Sequence, residues 1–318
     1  MTIADAINNG AVLLRQKNIA NPFLDSRLII SKILGISAEH VIDKAAVVGD
    51  AQGLANNGAG YIVDDCSYQK FLEVLERRAS GVCTAYILGH KEFRYLDLIV
   101  TPDVLVPQPD TETLVEHALF YIDCRSKSGS NTKVVDLCCG SGAIGLSILY
   151  ERKKLVEQNM LEVYASDISA AALEITKQNA CKYNLPLNVF QSDLFSQFSQ
   201  FEVLEMVSGT KSVPKFDMIV SNAPYIKTDV IKTLPKEVQN EPFIALDGGA
   251  DGLDLIRKII ILGKDFLNEG GTLLLEASPD QMGQISACML ENAYSGIKVF
   301  KDLGGDDRVI AGGITHFL

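Results

Sequence analysis

Val134-Val135-Asp136-Leu137-Cys138-Cys139-Gly140-Ser141-Gly142 reads as a short buried strand running into a glycine-rich turn, and residues 143–152 continue it as a helix. Strand, turn and helix in that order place a ligand loop at the carboxyl end of a strand. The glycines let the backbone approach a ligand closely, and the helix N-terminus behind them favours an anionic group such as a carboxylate. Downstream, Tyr164-Ala165-Ser166-Asp167 ends a second strand on an acidic residue, placed to accept hydrogen bonds from two ribose hydroxyls. Asp193 is an acidic position after a third strand. Two cofactors satisfy this layout, a dinucleotide and S-adenosylmethionine. The spacing Gly140-Ser141-Gly142-Ala143-Ile144-Gly145 fits Gly-x-Gly-x-x-Gly, but no other dehydrogenase feature accompanies it. Asp136 before the loop and Asp193 after the third strand favour S-adenosylmethionine.

Outward from this stretch, strand and helix alternate from about residue 131 onward. Residues 133–138, 161–166, 216–220 and 271–276 read as strands. Residues 143–152, 170–184, 251–268 and 279–291 read as helices, and 297–301 with 308–312 as a closing hairpin. Such alternation predicts a mainly parallel sheet covered on both faces. Residues 1–80 read as helical: Ile3, Ala6, Ile7, Ala11 and Leu14 share one face at 3.6-residue spacing. Asn21-Pro22 opens a second helix that Gly35 closes, and Ser67 is the expected cap of a third, whose stripe is Phe71, Val74, Leu75 and the stem of Arg78. Residues 48–60, rich in Gly, Ala and Asn, read as a flexible insertion, and 196–215 as a polar surface loop. Residues 95–101 read as extended, and Thr111 as the cap of the next helix. The expected fold is α/β and Rossmann-like: a mostly parallel sheet with a closing antiparallel hairpin, plus a small N-terminal helical domain. The expected boundaries are 1–81 for the helical domain, 82–110 for a connector with a β-hairpin, and 111–318 for the catalytic domain.

The bulk numbers narrow the partners. The chain has 318 residues, 40 acidic against 29 basic, for a formal charge of −11. A tight nucleic-acid binder normally presents a basic surface, so this balance disfavours direct nucleic-acid binding and fits a basic protein partner. Seven scattered cysteines, with no Cys-x-x-Cys pair, argue against a disulfide framework and a zinc site. The adjacent Cys138 and Cys139 read as small residues filling a tight loop. The four histidines are far apart and form no ligand pattern, so no metal is expected. No apolar run approaches the roughly 20 residues that span a bilayer, and the N-terminus shows no secretory or transit pattern. The expectation is a cytoplasmic monomer.

Phe216-Asp217-Met218-Ile219-Val220-Ser221 runs into Asn222-Ala223-Pro224-Tyr225. The four residues are one substitution from Asn-Pro-Pro-Tyr, the signature of enzymes that methylate planar, resonance-stabilised nitrogens. With the loop at 136–142 and the flanking motifs, the chain resembles the release factor glutamine methyltransferases, the HemK or PrmC group. Thr84-Ala85-Tyr86-Ile87-Leu88-Gly89 with Glu92-Phe93, and Val104-Leu105-Val106-Pro107-Gln108-Pro109-Asp110-Thr111-Glu112, are similar to that family's connector and Ile-Pro-Arg-Pro-Glu-Thr-Glu motif. Glu241-Pro242, Gly248-Gly249, Gly252-Leu253, Glu276, Gln281, Asp302 and Arg308 are similar to its downstream positions. Three departures stand out: Cys138-Cys139 where the family has Gly and a small residue, Gln108 for Arg, and Ala223 for the first proline.

The resemblance implies methyl transfer from S-adenosylmethionine, leaving S-adenosylhomocysteine, to the N5 nitrogen of the Gly-Gly-Gln glutamine of class 1 peptide release factors. It implies catalytic roles for Asn222, Ala223, Pro224 and Tyr225: the Asn222 side-chain oxygen and the Ala223 carbonyl accept the amide N–H bonds, and Tyr225 packs on the amide. It implies a cofactor site of Asp136, Cys138, Gly140, Gly142, Asp167, Ile168, Asp193, Leu194 and Asn222. The N-terminal helices are the expected docking region. Two other readings compete: an adenine N6 methyltransferase acting on nucleic acid, and a non-catalytic cofactor-binding homologue for which Ala223 is the main support.

Overall fold

The computed structural model describes residues 1–37, 62–198, 203–204, 211–212 and 214–314. The expected insertion at 48–60 and most of the expected loop at 196–215 lie outside the described residues. In chain order the strands are β1 (His90–Phe93), β2 (Leu96–Ile99), β3 (Thr132–Leu137), β4 (Leu161–Asp167), β5 (Asn188–Gln191), β6 (Val203–Leu204), β7 (Lys211–Ser212), β8 (Phe216–Ser221), β9 (Leu267–Glu276), β10 (Tyr294–Lys301) and β11 (Asp307–Ile314). β3, the strand of the quoted stretch, lies inside a seven-stranded sheet of order β10-β11-β9-β8-β3-β4-β5. The pairs β3–β4, β4–β5, β3–β8 and β8–β9 are parallel. β11 runs antiparallel to β9, and β10 antiparallel to β11, so the sheet ends in the expected hairpin.

The chain steps outward from β3 through β4 to β5, then returns to place β8 on the other side of β3. That reversal is a switch point, where a doubly wound sheet opens a crevice at the carboxyl ends of its strands. Successive side chains of a strand point to opposite faces. Val134, Met218 and Val220 accordingly pack under the helices Thr111–Ser126 and Ala143–Glu151. Val135, Leu137 and Ile219 pack under the helices Asp254–Gly263 and Met282–Glu291. β8 is buried along its whole length, as a parallel strand covered on both faces must be. Its one charged residue, Asp217, accepts from Arg125 at 2.7 Å, from Lys133 N at 2.8 Å and from Asn268 Nδ2 at 2.9 Å.

Residues 90–234 and 241–314 cluster as this sheet unit, and residues 1–89 with 235–240 as a helical one. In the helical unit, Ile3–Gln16 opens on a Thr2–Asp5 capping box and buries Ile3, Ala6, Ile7, Ala11 and Leu14. The helix Pro22–Leu34 has Asn21 before it and ends on Gly35 at φ 64°. Two details differ from the sequence reading. The cap of Asp65–Ala79 is Asp64, whose carboxylate accepts from Ser67 N at 2.9 Å, so Ser67 is the donor and not the cap. Arg78 buries its guanidinium as well as its stem, because Asp25, at 2.7 Å, and Glu237 neutralise it.

In the sheet unit, β1 and β2 form a hairpin around Arg94-Tyr95, so Tyr95 is a turn residue rather than the start of a strand. The helix expected over 251–268 is shorter, Asp254–Gly263, and β9 starts at Leu267. Residues 279–281 form a 3-10 turn before Met282–Glu291.

Candidate active site

The crevice at the switch point is a cavity of about 320 Å³. Its walls come from the loops after β3, β4, β5 and β8, and from segments 103–105 and 242–258. Of the expected site residues, Cys138, Gly140, Asp167, Ile168, Asp193, Leu194, Asn222 and Pro224 line it. The structure thus brings one residue set from four strand ends to one space.

Asp167, at the end of β4, is held by two backbone donors. Gly140 N donates to its Oδ2 at 3.0 Å and Ser169 N to its Oδ1 at 2.9 Å. Burial raises its pKa, and the same two N–H bonds oppose the rise. Its neighbour Ile168 is 49% exposed, an apolar side chain left at the cavity wall. Gly140 adopts φ 54°, and among the described residues no atom lies within 4 Å of where a Cβ would stand, so that side of the residue is open.

Asp136, Gly142, Ala223 and Tyr225 are not part of the cavity wall. Asp136 is fully buried behind the loop; its Oδ2 accepts from Gly145 N at 2.9 Å, its Oδ1 has no partner among the described residues, and burial pushes its pKa up to about 7. Asp136 therefore anchors the helix Ala143–Glu151 to β3. Gly142 stands before that helix at φ 82°. Ala223 is 1% exposed and packs into the core. The Tyr225 hydroxyl donates to Glu276 Oε1 at 3.2 Å.

Asn222 lines the cavity and donates from Nδ2 to Thr111 Oγ1 at 3.0 Å. With its nitrogen so engaged, its amide oxygen remains as an acceptor toward the cavity. Thr111 is thus not the helix cap expected from sequence: the cap position is Asp110, without a side-chain cap bond, and the Thr111 hydroxyl serves Asn222. Gln108 turns back on its own segment, Nε2 donating to Val106 O at 2.9 Å.

Sequence reasoning did not assign Thr111, Asp103, Asp247, Asp254, Leu255 or Lys258 to the site. Only Thr111 had a local signal, the Thr-Glu-Thr run, and it pointed to capping.

Glu276, at the end of β9, is 1% exposed, and among the described residues its Oε2 has no hydrogen-bond partner. Burial raises its pKa from 4.5 to about 7, against the downward pull of the Thr111 and Tyr225 hydroxyls and Arg308. A carboxyl with a raised folded pKa stabilises the fold below its unfolded pKa, and that stability is lost as pH rises through the folded value. Glu276→Gln, which keeps the acceptor for Tyr225, is therefore expected to gain stability relative to the parent between pH 4.5 and pH 7. The gain is on the order of 3 kcal/mol at most. Denaturant melts of both proteins across that range check it; parallel curves would contradict the assignment.

The two cysteines behave differently. Cys139 is buried, packs on Ala165 and Leu173, and sits 3.6 Å from Thr176 Oγ1. Cys138 lines the cavity at φ 58°, a left-handed conformation that costs a non-glycine residue about 1–2 kcal/mol. Burial holds both thiols well above the ordinary cysteine range, so neither is a thiolate nucleophile. Cys138→Gly removes the strain but adds unfolded-state entropy of up to about 1 kcal/mol. The expected net is a small stabilisation, read as a rise in Tm; a large drop would mean that the thiol packs usefully.

The family model described as the methyltransferase small domain matches residues 118–237. The chain is 33% identical over 313 residues to the release factor glutamine methyltransferase of Clostridium botulinum, covering 98% of each chain. It is 36% identical over 299 residues to that of Agrobacterium fabrum, covering 93% of this chain and 92% of the relative. Among solved structures, a methyltransferase from Pyrococcus furiosus aligns with a TM-score of 0.46 at 17% identity, over 71% of this chain and 92% of that one.

Proposed function

We infer the reaction from one premise: the chain belongs to the release factor glutamine methyltransferase family. The protein transfers a methyl group from S-adenosylmethionine to the side-chain amide nitrogen of a glutamine, that of the Gly-Gly-Gln motif in a class 1 peptide release factor. The observation that carries this reading is Asn222. It shares one cavity with Gly140, Asp167 and Asp193, and its amide nitrogen is committed to Thr111.

The cavity suits the cofactor in shape and donors. Asp167, pre-oriented by two N–H groups, would take the ribose hydroxyls. Ile168 and Leu194 would flank the adenine, with Asp193 at its polar edge. The open space where Gly140 lacks a Cβ leaves room for the aminocarboxypropyl chain. When bound, S-adenosylmethionine supplies a methyl group already activated on a sulfonium.

A glutamine amide nitrogen is a poor nucleophile because its lone pair is delocalised, as in a peptide bond. The protein's task is orientation and charge stabilisation. The Asn222 amide oxygen accepts one N–H of the substrate amide, and family membership gives the other to the Ala223 carbonyl, although Ala223 is 1% exposed and lies outside the cavity wall. Both acceptors fix the amide plane and stabilise positive charge growing on nitrogen. Pro224 fixes the backbone that follows. Tyr225 shapes the site from behind, its hydroxyl held by Glu276. Placement in line with the methyl group contributes as much as about 7–11 kcal/mol in well-oriented systems. The methylated amide loses its proton to water after transfer, so no general base is needed before it.

We assign docking of the release factor to the helical unit, which exposes Phe23 and Leu24 at the start of Pro22–Leu34. Among the described residues no helix is long and apolar enough to cross a membrane. The reading is tested by transfer of labelled methyl to a class 1 release factor, beside a copy whose Gly-Gly-Gln glutamine is alanine. Label on the first alone is expected; cofactor binding with no label on either would make the chain a non-catalytic relative or assign it another substrate.

A further inference from the structure

We propose that Gln281 is a positioning residue for transfer, clamping the backbone at Tyr225 where the Asn222–Tyr225 segment lacks the restraint of a proline at position 223. The proposal rests on the function just given. Alanine leaves φ at 223 unrestricted, whereas proline would fix it and bias Asn222 toward an extended conformation. Among the described residues, the Ala223 N–H makes no hydrogen bond, and Pro224 has none to offer. The segment is instead tied at its ends. Ser221 Oγ donates to Leu137 O at 2.8 Å, and Ile226 N donates to Leu246 O at 3.0 Å.

On the downstream side of the acceptors, the side chain that ties the segment is Gln281, which is 3% exposed. Its Nε2 donates to Tyr225 O at 2.9 Å and lies 3.3 Å from Gly252 O. Its Oε1 accepts from Ser278 N at 3.1 Å, which fixes the side-chain amide in the orientation that presents Nε2 to Tyr225. Gly252 closes the same spot: at φ 80°, a Cβ there would stand 2.4 Å from Tyr225 O and 2.5 Å from Gln281 Nε2. The Tyr225 hydroxyl is held separately by Glu276. One residue is thus gripped at carbonyl and hydroxyl, three positions from Asn222. Gln281 acts on the reaction through that grip, since it is not part of the cavity wall.

The test uses the full chain with Gln281→Met, which keeps length and removes the donor, and the pair Gln281→Met with Ala223→Pro. Asp280→Asn is the control, because it alters an exposed residue of the same turn that pairs with Lys227 rather than with Tyr225. Two readouts are taken: kcat and KM for transfer to the release factor, and hydrogen exchange at the Tyr225 and Ile226 amides. Gln281→Met is expected to lower kcat about tenfold, the scale of one lost hydrogen bond, with KM for S-adenosylmethionine unchanged and exchange at both amides faster. Adding Ala223→Pro is expected to recover most of kcat and slow the exchange again, while Asp280→Asn alone leaves both at parental values. Unchanged kcat and exchange in Gln281→Met overturns the proposal, as does a double variant that recovers neither. If the parent transfers no methyl at all, the functional reading fails, and the exchange data still decide the clamp.

Discussion

Asn222→Ala is expected to abolish methyl transfer while S-adenosylmethionine binds almost as in the parent. The side chain offers one free acceptor to the cavity, its oxygen, because Nδ2 is held by Thr111. Alanine removes that acceptor and leaves the backbone of β8 and the carbonyl at 223 in place. Removing one pre-organised polar partner from a site of developing charge typically lowers kcat by about 10²–10³-fold. The substrate amide also loses its fixed plane, so the loss is placed at the upper end of that range. Cofactor affinity depends chiefly on Asp167, Gly140 and the apolar walls, none of which touches Asn222 through a hydrogen bond. Single-turnover transfer and titration of S-adenosylmethionine separate the two effects. Transfer at the parental rate would remove Asn222 from the mechanism; a loss confined to cofactor affinity would recast it as a binding residue. Thr111→Val should reproduce part of the defect, because it frees Asn222 to turn its nitrogen toward the cavity.

The sheet and its order of strand ends were legible because their signals are local. Val134 and Val135, or Met218 and Ile219, are apolar neighbours bound for opposite faces, and a run buried on both faces reads as a strand at any register. The loop glycines and Asp167 lie within short stretches whose spacing alone fixes their place. Residues whose roles depend on distant partners were not legible. Thr111 meets Asn222 across 111 positions, and the Thr-Glu-Thr run promised a cap that Asp110 took without a side-chain bond. The end of the helix Asp254–Gly263 was hidden because Phe266 and Leu267 extend the apolar pattern through a turn into β9. For Arg78 the sequence places only the stem in the buried stripe, since the partners that let the guanidinium follow, Asp25 and Glu237, lie 53 and 159 positions away. The wall formed by Asp254, Leu255 and Lys258 carries no motif; only the packing of a helix beside the crevice places it there.

Asp167→Ala is expected to weaken S-adenosylmethionine binding by about 100-fold or more, with the fold intact. A carboxylate that accepts two hydroxyl donors makes charge-assisted bonds worth roughly 1.5–3 kcal/mol each, and both are lost together. The same change releases Gly140 N and Ser169 N, which now hold the carboxylate, so the loop after β3 loses one of its restraints as well. Asp167→Asn should fall between the two, since it keeps one acceptor oxygen but offers an N–H to groups that are themselves donors. The pH dependence gives an independent check. The pKa of Asp167 is raised by burial, and the ribose hydroxyls bind the ionised form. Affinity must therefore decline on acidification, and it must begin to do so at a higher pH than an unshifted aspartate would produce. That decline should vanish in Asp167→Asn, which cannot titrate. Calorimetric titration of S-adenosylmethionine against both variants and the parent, repeated from neutral pH downward, measures all three quantities. Parental affinity in Asp167→Ala would break the ribose assignment, and with it the orientation of the cofactor on which the placement of the methyl group against Asn222 depends.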